Sequence, residues 1–170
     1  MSESTNILQT GNPILRNISR NIETRELTGK PVQSLIKRMH KVLVGETDGV
    51  ALAAPQIGEN FRVFVLSPKL FEGDTALEPL VYINPVIIKK SRSRIVFDEG
   101  CLSVRNIYGK IERHGKVSVE AVDEKGKRFT RGGSGVLAEV FQHEIDHLDG
   151  ILFTDSAEHL REISAEHAKD

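Results

Sequence analysis

The sequence predicts an α+β fold, with antiparallel or mixed short-stranded sheets packed around one central helix and a second helix nearer the N-terminus. Two observations predict it. Five or so strand-like runs follow one another between two helical patterns instead of alternating with them, which argues against a doubly wound parallel sheet. The second helical pattern, from Val136, carries an apolar arc with polar side chains in or beside it, as a helix enclosed by the rest of the chain would. The 170 residues suit one domain with one good core, read as 1–170 with a polar tail from about residue 156.

The elements follow in order. Asn6 to Arg16 reads as a short extended segment broken by the turn signal Gly11-Asn12-Pro13. Pro31 suits the first turn of a helix in which Val32, Leu35, Ile36, Met39 and Leu43 recur at helical spacing up to Gly45. His40 beside them reads as an ordinary helix residue. Gly49 to Gly58 (G-V-A-L-A-A-P-Q-I-G) has small side chains without helical or strand period, so its backbone can run close to a strand or a ligand, with the Gln56 amide presented there. A tight packing loop with an exposed Gln fits the same pattern. Phe61–Leu66 reads as a strand, Ser67 to Pro79 as a polar connection, and Leu80–Ile88 as a strand interrupted at Asn84-Pro85. Arg94–Phe97 is a third strand. Lys116–Val122 and Lys127–Thr130 form a hairpin about the turn Asp123–Gly126. The tail after Asp155 reads as a polar, helix-compatible extension.

Composition excludes several classes. Lys and Arg total 23 against 24 Asp and Glu, a formal charge of −1, so no basic stripe advertises nucleic acid, no sequence-specific nucleic-acid partner is expected, and no acidic tail advertises disorder. No run has the apolar length to cross a bilayer, and the first residues, M-S-E-S-T-N-I-L, lack secretory or transit character, so a cytoplasmic protein is expected. One cysteine, Cys101, precludes an internal disulfide.

In the helix from Val136, the residues Val136, Leu137, Val140, Phe141 and Leu148 span an arc of about 140°. His143, Glu144 and His147 fall in or beside it, while Glu139, Gln142 and Asp146 fall opposite. Polar groups aimed into an apolar interior must be satisfied. H-E-x-x-H can do so by coordinating one metal through both imidazoles, with the carboxylate beside the water; hydrogen-bonded core histidines are the bland alternative. Asp98-Glu99-Gly100 delivers Cys101 at a turn after a strand, either as buried filler or as a soft third ligand. The metzincin pattern puts Gly150 at the right offset but Phe153 where its last histidine belongs. Glu158 and Glu162 sit in the polar tail, which leaves Cys101 as the better third donor.

G-V-A-L-A-A-P-Q, E-G-C-L-S-V and Q-H-E-I-D-H-L-D-G, in that order, resemble the three signature motifs of the peptide deformylases, and I-L-Q-T-G-N-P-I-L-R and R-G-G-S-G-V-L-A are similar to that family too. The resemblance covers nearly the whole chain. It implies a metallohydrolase removing the formyl group from N-terminal formylmethionine of new polypeptides, with one divalent ion held by Cys101, His143 and His147. Ferrous iron is the usual ion in the family, with zinc, nickel or cobalt able to replace it. The implied roles are Glu144 as general base, the Gln56 amide and Leu102 backbone N–H as donors to the formyl oxygen, and Gly49, Val50, Ala51 and Gly100 along the substrate. Formylmethionyl peptides and, transiently, the ribosome are the implied partners. Two departures stand out: Ala51 replaces a glycine of the first motif, and Arg105-Asn106 replace a common Pro-Gly after the second. They motivate a rival reading as a formyl-peptide binder without hydrolysis; an internal peptidase is a further one.

Overall fold

The computed structural model describes residues 6–71 and 80–164. The start of the N-terminus, most of the expected Ser67–Pro79 connection and the end of the tail lie outside the described residues. Among the described residues, eight strands form two antiparallel sheets: five strands in the order β1-β2-β3-β6-β7, and three in the order β4-β5-β8. The strands are β1 (Ala51–Ala53), β2 (Val63–Leu66), β3 (Val81–Lys90), β4 (Arg94–Cys101), β5 (Val104–His114), β6 (Lys116–Val122), β7 (Arg128–Ser134) and β8 (Glu158–Glu162). Two helices, α1 (Lys30–Gly45) and α2 (Val136–Leu148), complete the α+β architecture.

The five-stranded sheet is covered on both faces, and strand alternation divides it. Val63 and Val65 join Leu52, Val81 and Ile83 against the α1 face built from Val32, Leu35, Ile36, Met39, Val42 and Leu43. Phe64 and Leu66 point the other way, joining Ala51, Ala53 and Tyr82 against Ala138, Val140, Phe141, Ile145 and Leu148 of α2. Each such aliphatic, fully buried, stabilises the fold by roughly 1.5–3 kcal/mol. A third, smaller cluster, with Leu15, Val104, Ile111, Leu152 and Phe153, seats the three-stranded sheet. Among the described residues no helix is long and apolar enough to cross a membrane.

The expected break at Asn84-Pro85 is a bulge in β3, where the register with β6 shifts between Ile83 and Val86. Asn84 takes φ 50°, and its amide exchanges two 2.8 Å hydrogen bonds with the backbone of Ile22. The side chain thus supplies the pairing that the proline interrupts. The β6–β7 hairpin forms as expected, with Asp123 Oδ1 accepting from the N–H of Lys125 and Lys127, both at 2.9 Å.

Four local expectations change. Pro13–Arg16 closes into a 3-10 turn capped by the Asn12 side chain, which accepts from Ile14 N at 3.0 Å. Residues 94–97 are only the start of β4, which runs to Cys101 and returns as the long β5. The polar tail is an edge strand, not a helix: β8 pairs with β5, and Arg161 reaches across to Asp98. On α2, Val136 is exposed while Gln142, assigned to the outer face, is buried. Its amide accepts from His114 N at 3.1 Å and donates to the carbonyls of His114 and Ala138, so the outer face is covered by the end of β5 instead of solvent.

Candidate active site

Two elements bring the chemistry-bearing side chains together. The β4–β5 hairpin turns at Cys101–Val104, with a register shift between Gly100 and Cys101 that aims the sulfur off the strand. Helix α2 presents His143 and His147 one turn apart, with ring centroids 5.0 Å apart. Cys101 Sγ lies 3.2 Å from His147 Nε2, and one donor atom each from Cys101, His143 and His147 fall within 4.8 Å of one another.

This trio fits a cation. A thiolate and an imidazole on one tetrahedral ion sit roughly 3.6 Å apart given ordinary bond lengths, close to the spacing found. His143 Nδ1 lies 2.8 Å from Glu99 Oε2, a carboxylate that accepts from Nδ1–H, fixes the ring and leaves Nε2 as the nitrogen available to an ion. Burial opposes charge on His143, yet Cys101, Glu99 and Glu144 outweigh it and hold its pKa well above the usual value. The same surroundings attract any positive charge placed at that nitrogen. Burial, with the neighbouring His143, pushes His147 well below its usual value and keeps it neutral, the form in which imidazole binds metals.

Glu99 is the residue whose part the motif reading did not assign. Its side chain is fully buried and is held by Arg113, whose Nε and Nη2 donate to both carboxylate oxygens, the latter at 2.9 Å. Arg113 Nη1 donates to Asp146 Oδ2 at 2.8 Å. Burial alone would raise the Glu99 pKa; Arg113 and His143 overcome that and lower it. The available signal was positional, since Glu99 lies two residues before Cys101 in the same motif. The partner on β5 gave no local clue.

Glu144 is buried beside the trio, and among the described residues its Oε2 has no hydrogen-bond partner. Burial, with the carboxylates of Glu139 and Glu99 adding, pushes its carboxyl up to about 7, near the value suited to a proton carrier at neutral pH. Gln56 is likewise buried. Its Oε1 accepts from Ala53 N at 2.9 Å, which orients Nε2 toward Ser103 Oγ at 3.1 Å and Cys101 Sγ at 3.7 Å. Far from an exposed loop residue, Gln56 is a fixed donor beside the sulfur. Leu102 is the next residue in the same turn, and its carbonyl is held by Gln9 Nε2 at 2.9 Å.

A cleft of about 270 Å³ opens onto these groups. One wall is Gly49–Val50–Ala51, the other Gly100–Cys101–Leu102, and His143 and Glu144 lie at its floor. Gly100 is required by its cross-strand neighbour in the β4–β5 hairpin, because a Cβ there would come within 2.6 Å of the Tyr108 ring. Every residue expected at the site from sequence borders this cleft except His147, which lies behind it and is 1% exposed. The two departures are accommodated. Ala51 is 7% exposed and joins the apolar cluster beneath α2, so its methyl group narrows the cleft little. Asn106 adopts φ 64°, the left-handed conformation that asparagine tolerates best after glycine, and Arg105 is paired in a fork with Glu46 at 3.1 and 3.2 Å.

A model of the polypeptide deformylase family matches residues 4–162. The chain belongs to that family. Peptide deformylase 2 of Clostridium acetobutylicum is 42% identical over 142 residues, covering 84% of this chain and 87% of that one. Chloroplastic peptide deformylase 1B of rice is 39% identical over 149 residues, 88% of this chain but 53% of its own, so the chain spans about half of that relative. Among solved structures, a peptide deformylase from Legionella pneumophila aligns over 90% of this chain and 85% of its own, with 40% identity and TM-score 0.79. One from Synechococcus elongatus in complex with actinonin aligns over 92% and 82%, with 32% identity and TM-score 0.82. The chain is therefore an enzyme of the deformylase family, and the α+β fold is that of its solved relatives.

Proposed function

We propose that this deformylase hydrolyses the formamide bond of N-formylmethionyl polypeptides, releasing formate and a free amine, with one divalent ion, ferrous iron in the cell, held by Cys101, His143 and His147. The observation that carries the reading is the convergence of one sulfur and two imidazoles beside a buried carboxyl with an unpartnered oxygen. When bound, the ion supplies Lewis acidity, polarising the formyl oxygen and acidifying water. Glu144 takes the proton from the attacking water and returns it to the departing amine nitrogen. Gln56 Nε2 and the Leu102 N–H donate to the formyl oxygen as negative charge grows there; the Ala53 contact sets the Gln56 amide in advance, so little reorganisation is needed. The substrate backbone lies along Gly49–Ala51. In support, β1 is an edge strand of its sheet, and an extended peptide can add to such an edge. New chains reach this cleft at the ribosome, in the cytoplasm.

Glu144→Gln tests the reading, because it preserves shape and hydrogen bonding but removes the base. Anaerobic preparations loaded with ferrous iron or nickel are expected to hold one ion per chain in both forms, with formate release from a formyl-Met peptide lost by at least about 100-fold in the variant. A metal-loaded parent that releases no formate overturns the proposal; a variant that retains turnover moves the base elsewhere.

A further inference from the structure

A second concavity, of about 460 Å³, lies where the end of β3 meets β6 and β7. Three of its lining residues are Lys89, Lys90 and Lys116; the others are serines, glycines and a valine, with no carboxylate among them. Register brings the lysines to one end of the β3–β6 pair: Lys89 pairs with Ser118 and Lys90 with Val117, which follows Lys116 in the chain. The turn beyond adds Arg92 and Arg94, so residues 89–94 hold four cations in a chain of net charge −1. Arg94 is engaged by Glu112 at 3.4 Å. Lys89, Lys90, Arg92 and Lys116 are exposed and form no salt bridge among the described residues.

The backbone beneath these cations is fixed. Ser91 N donates to Lys116 O at 2.9 Å, Lys116 N to Ser91 Oγ at 3.1 Å, and His114 Nδ1 lies 2.7 Å from Ser91 O. Like charges gathered on neighbouring strands repel, and no carboxylate lines this groove; Asp146, on the adjoining surface, is paired with Arg113. A partner bearing closely spaced negative charge would relieve the repulsion. We propose that this groove docks the phosphodiester backbone of RNA without reading bases. Three lysines and three serines lining one concave groove suit the phosphate oxygens of a strand lying in it better than the plane of a membrane.

The position is compatible with catalysis. The catalytic cleft follows His143 and Glu144, whereas the shallow surface adjoining Lys89 and Lys90 borders Gln142 and Asp146, on another side of α2. Docked RNA thus leaves the cleft open to a peptide. The inference does not depend on the reaction, and its readout is binding.

A fluorescent single-stranded RNA of about 20 nucleotides, titrated with the full chain at about 50 and about 200 mM salt, tests it. Four engaged cations give a log–log salt slope near −2.8, a weakening of roughly 50-fold across that range. Changing Lys89, Lys90 and Lys116 together to Gln is expected to flatten the slope by about two units and weaken low-salt binding by at least about 10-fold. Formate release from a short formyl peptide should be unchanged. Changing Lys37, Lys41 and Lys125 to Gln, an equal loss of charge on exposed sites elsewhere, should leave RNA binding intact. The proposal is overturned by absence of RNA binding at the lower salt, by equal losses in the two triple variants, or by anionic phospholipid vesicles or polyglutamate competing as well as unlabelled RNA.

Discussion

Glu99 decides how His143 is held. The carboxylate fixes which imidazole nitrogen carries the proton, and Arg113 keeps that carboxylate ionised although it is buried. Glu99→Gln retains the size of the side chain but weakens the contact to both neighbours. It is expected to lower metal affinity by roughly 10–100-fold, measured by competition with a chromophoric chelator; unchanged affinity would mean the ring is positioned by packing alone. Tyr82 offers a second test at this scale, away from the site. It stacks on Phe64 with centroids 4.6 Å apart and meets Phe129 edge-on, and burial raises its pKa from 10.0 to about 12. Because the folded pKa lies above the unfolded one, the neutral phenol's contribution to stability is whole below about pH 10 and is lost as pH rises through about 12. With Tyr108→Phe leaving one tyrosine, phenolate absorbance is expected to titrate near 12; a midpoint at 10.0 in the folded protein would contradict the burial argument. At this scale His143, Glu144 and His147 stood out because H-E-x-x-H is a local pattern, whereas for Cys101 and Gln56 the residues left alternatives open and the resemblance of the motifs that contain them decided. Glu99 was visible but had no readable role, since its partner Arg113 lies 14 residues away on another strand.

Helix α1 and the β6–β7 hairpin were legible as elements because apolar spacing and turn chemistry agree there. Strand β5 was not. Its sequence, V-R-N-I-Y-G-K-I-E-R-H, breaks alternation at Asn106 and Gly109, and its partners are β4 and the polar β8. The outer face of α2 misled for a related reason: Gln142 looks solvent-facing by pattern, but the backbone of His114 satisfies its amide. The β4–β5 hairpin also carries a steric requirement. Gly100 stands opposite Tyr108 in register, and any Cβ there meets the ring at 2.6 Å. Gly100→Ala therefore displaces either Tyr108 or the strand that delivers Cys101. Thermal unfolding is expected to show a loss of about 1–3 kcal/mol, accompanied by weaker metal binding. Loss of stability with metal affinity unchanged would show that the hairpin yields at Tyr108 and leaves the sulfur in place.

At the scale of the whole molecule, the two sheets are secured unequally. The five-stranded sheet is clamped between α1 and α2 by two large apolar clusters, whereas half of the β4 residues are exposed and the three-stranded sheet rests on a small cluster plus polar ties. Those ties run to α2: Arg113 to Asp146, Glu99 to His143, and Cys101 beside His147. An ion shared by Cys101 and the two histidines would add a cross-link between the small sheet and the central helix, where apolar burial is thinnest. The sequence showed strands and helices but not this division, because pairing partners are chosen by long-range burial that no local period encodes. Removing the ion with a chelator is thus expected to act unevenly. At an ion concentration about 1,000 times Kd, binding contributes about 4 kcal/mol, which for a chain of this size is a fall in Tm of roughly 8–16 °C. Hydrogen exchange should rise first in residues 94–114 while Val63–Leu66 stays protected. Equal loosening of both sheets would mean that the ion stabilises the fold globally and that the small sheet is held by its own packing.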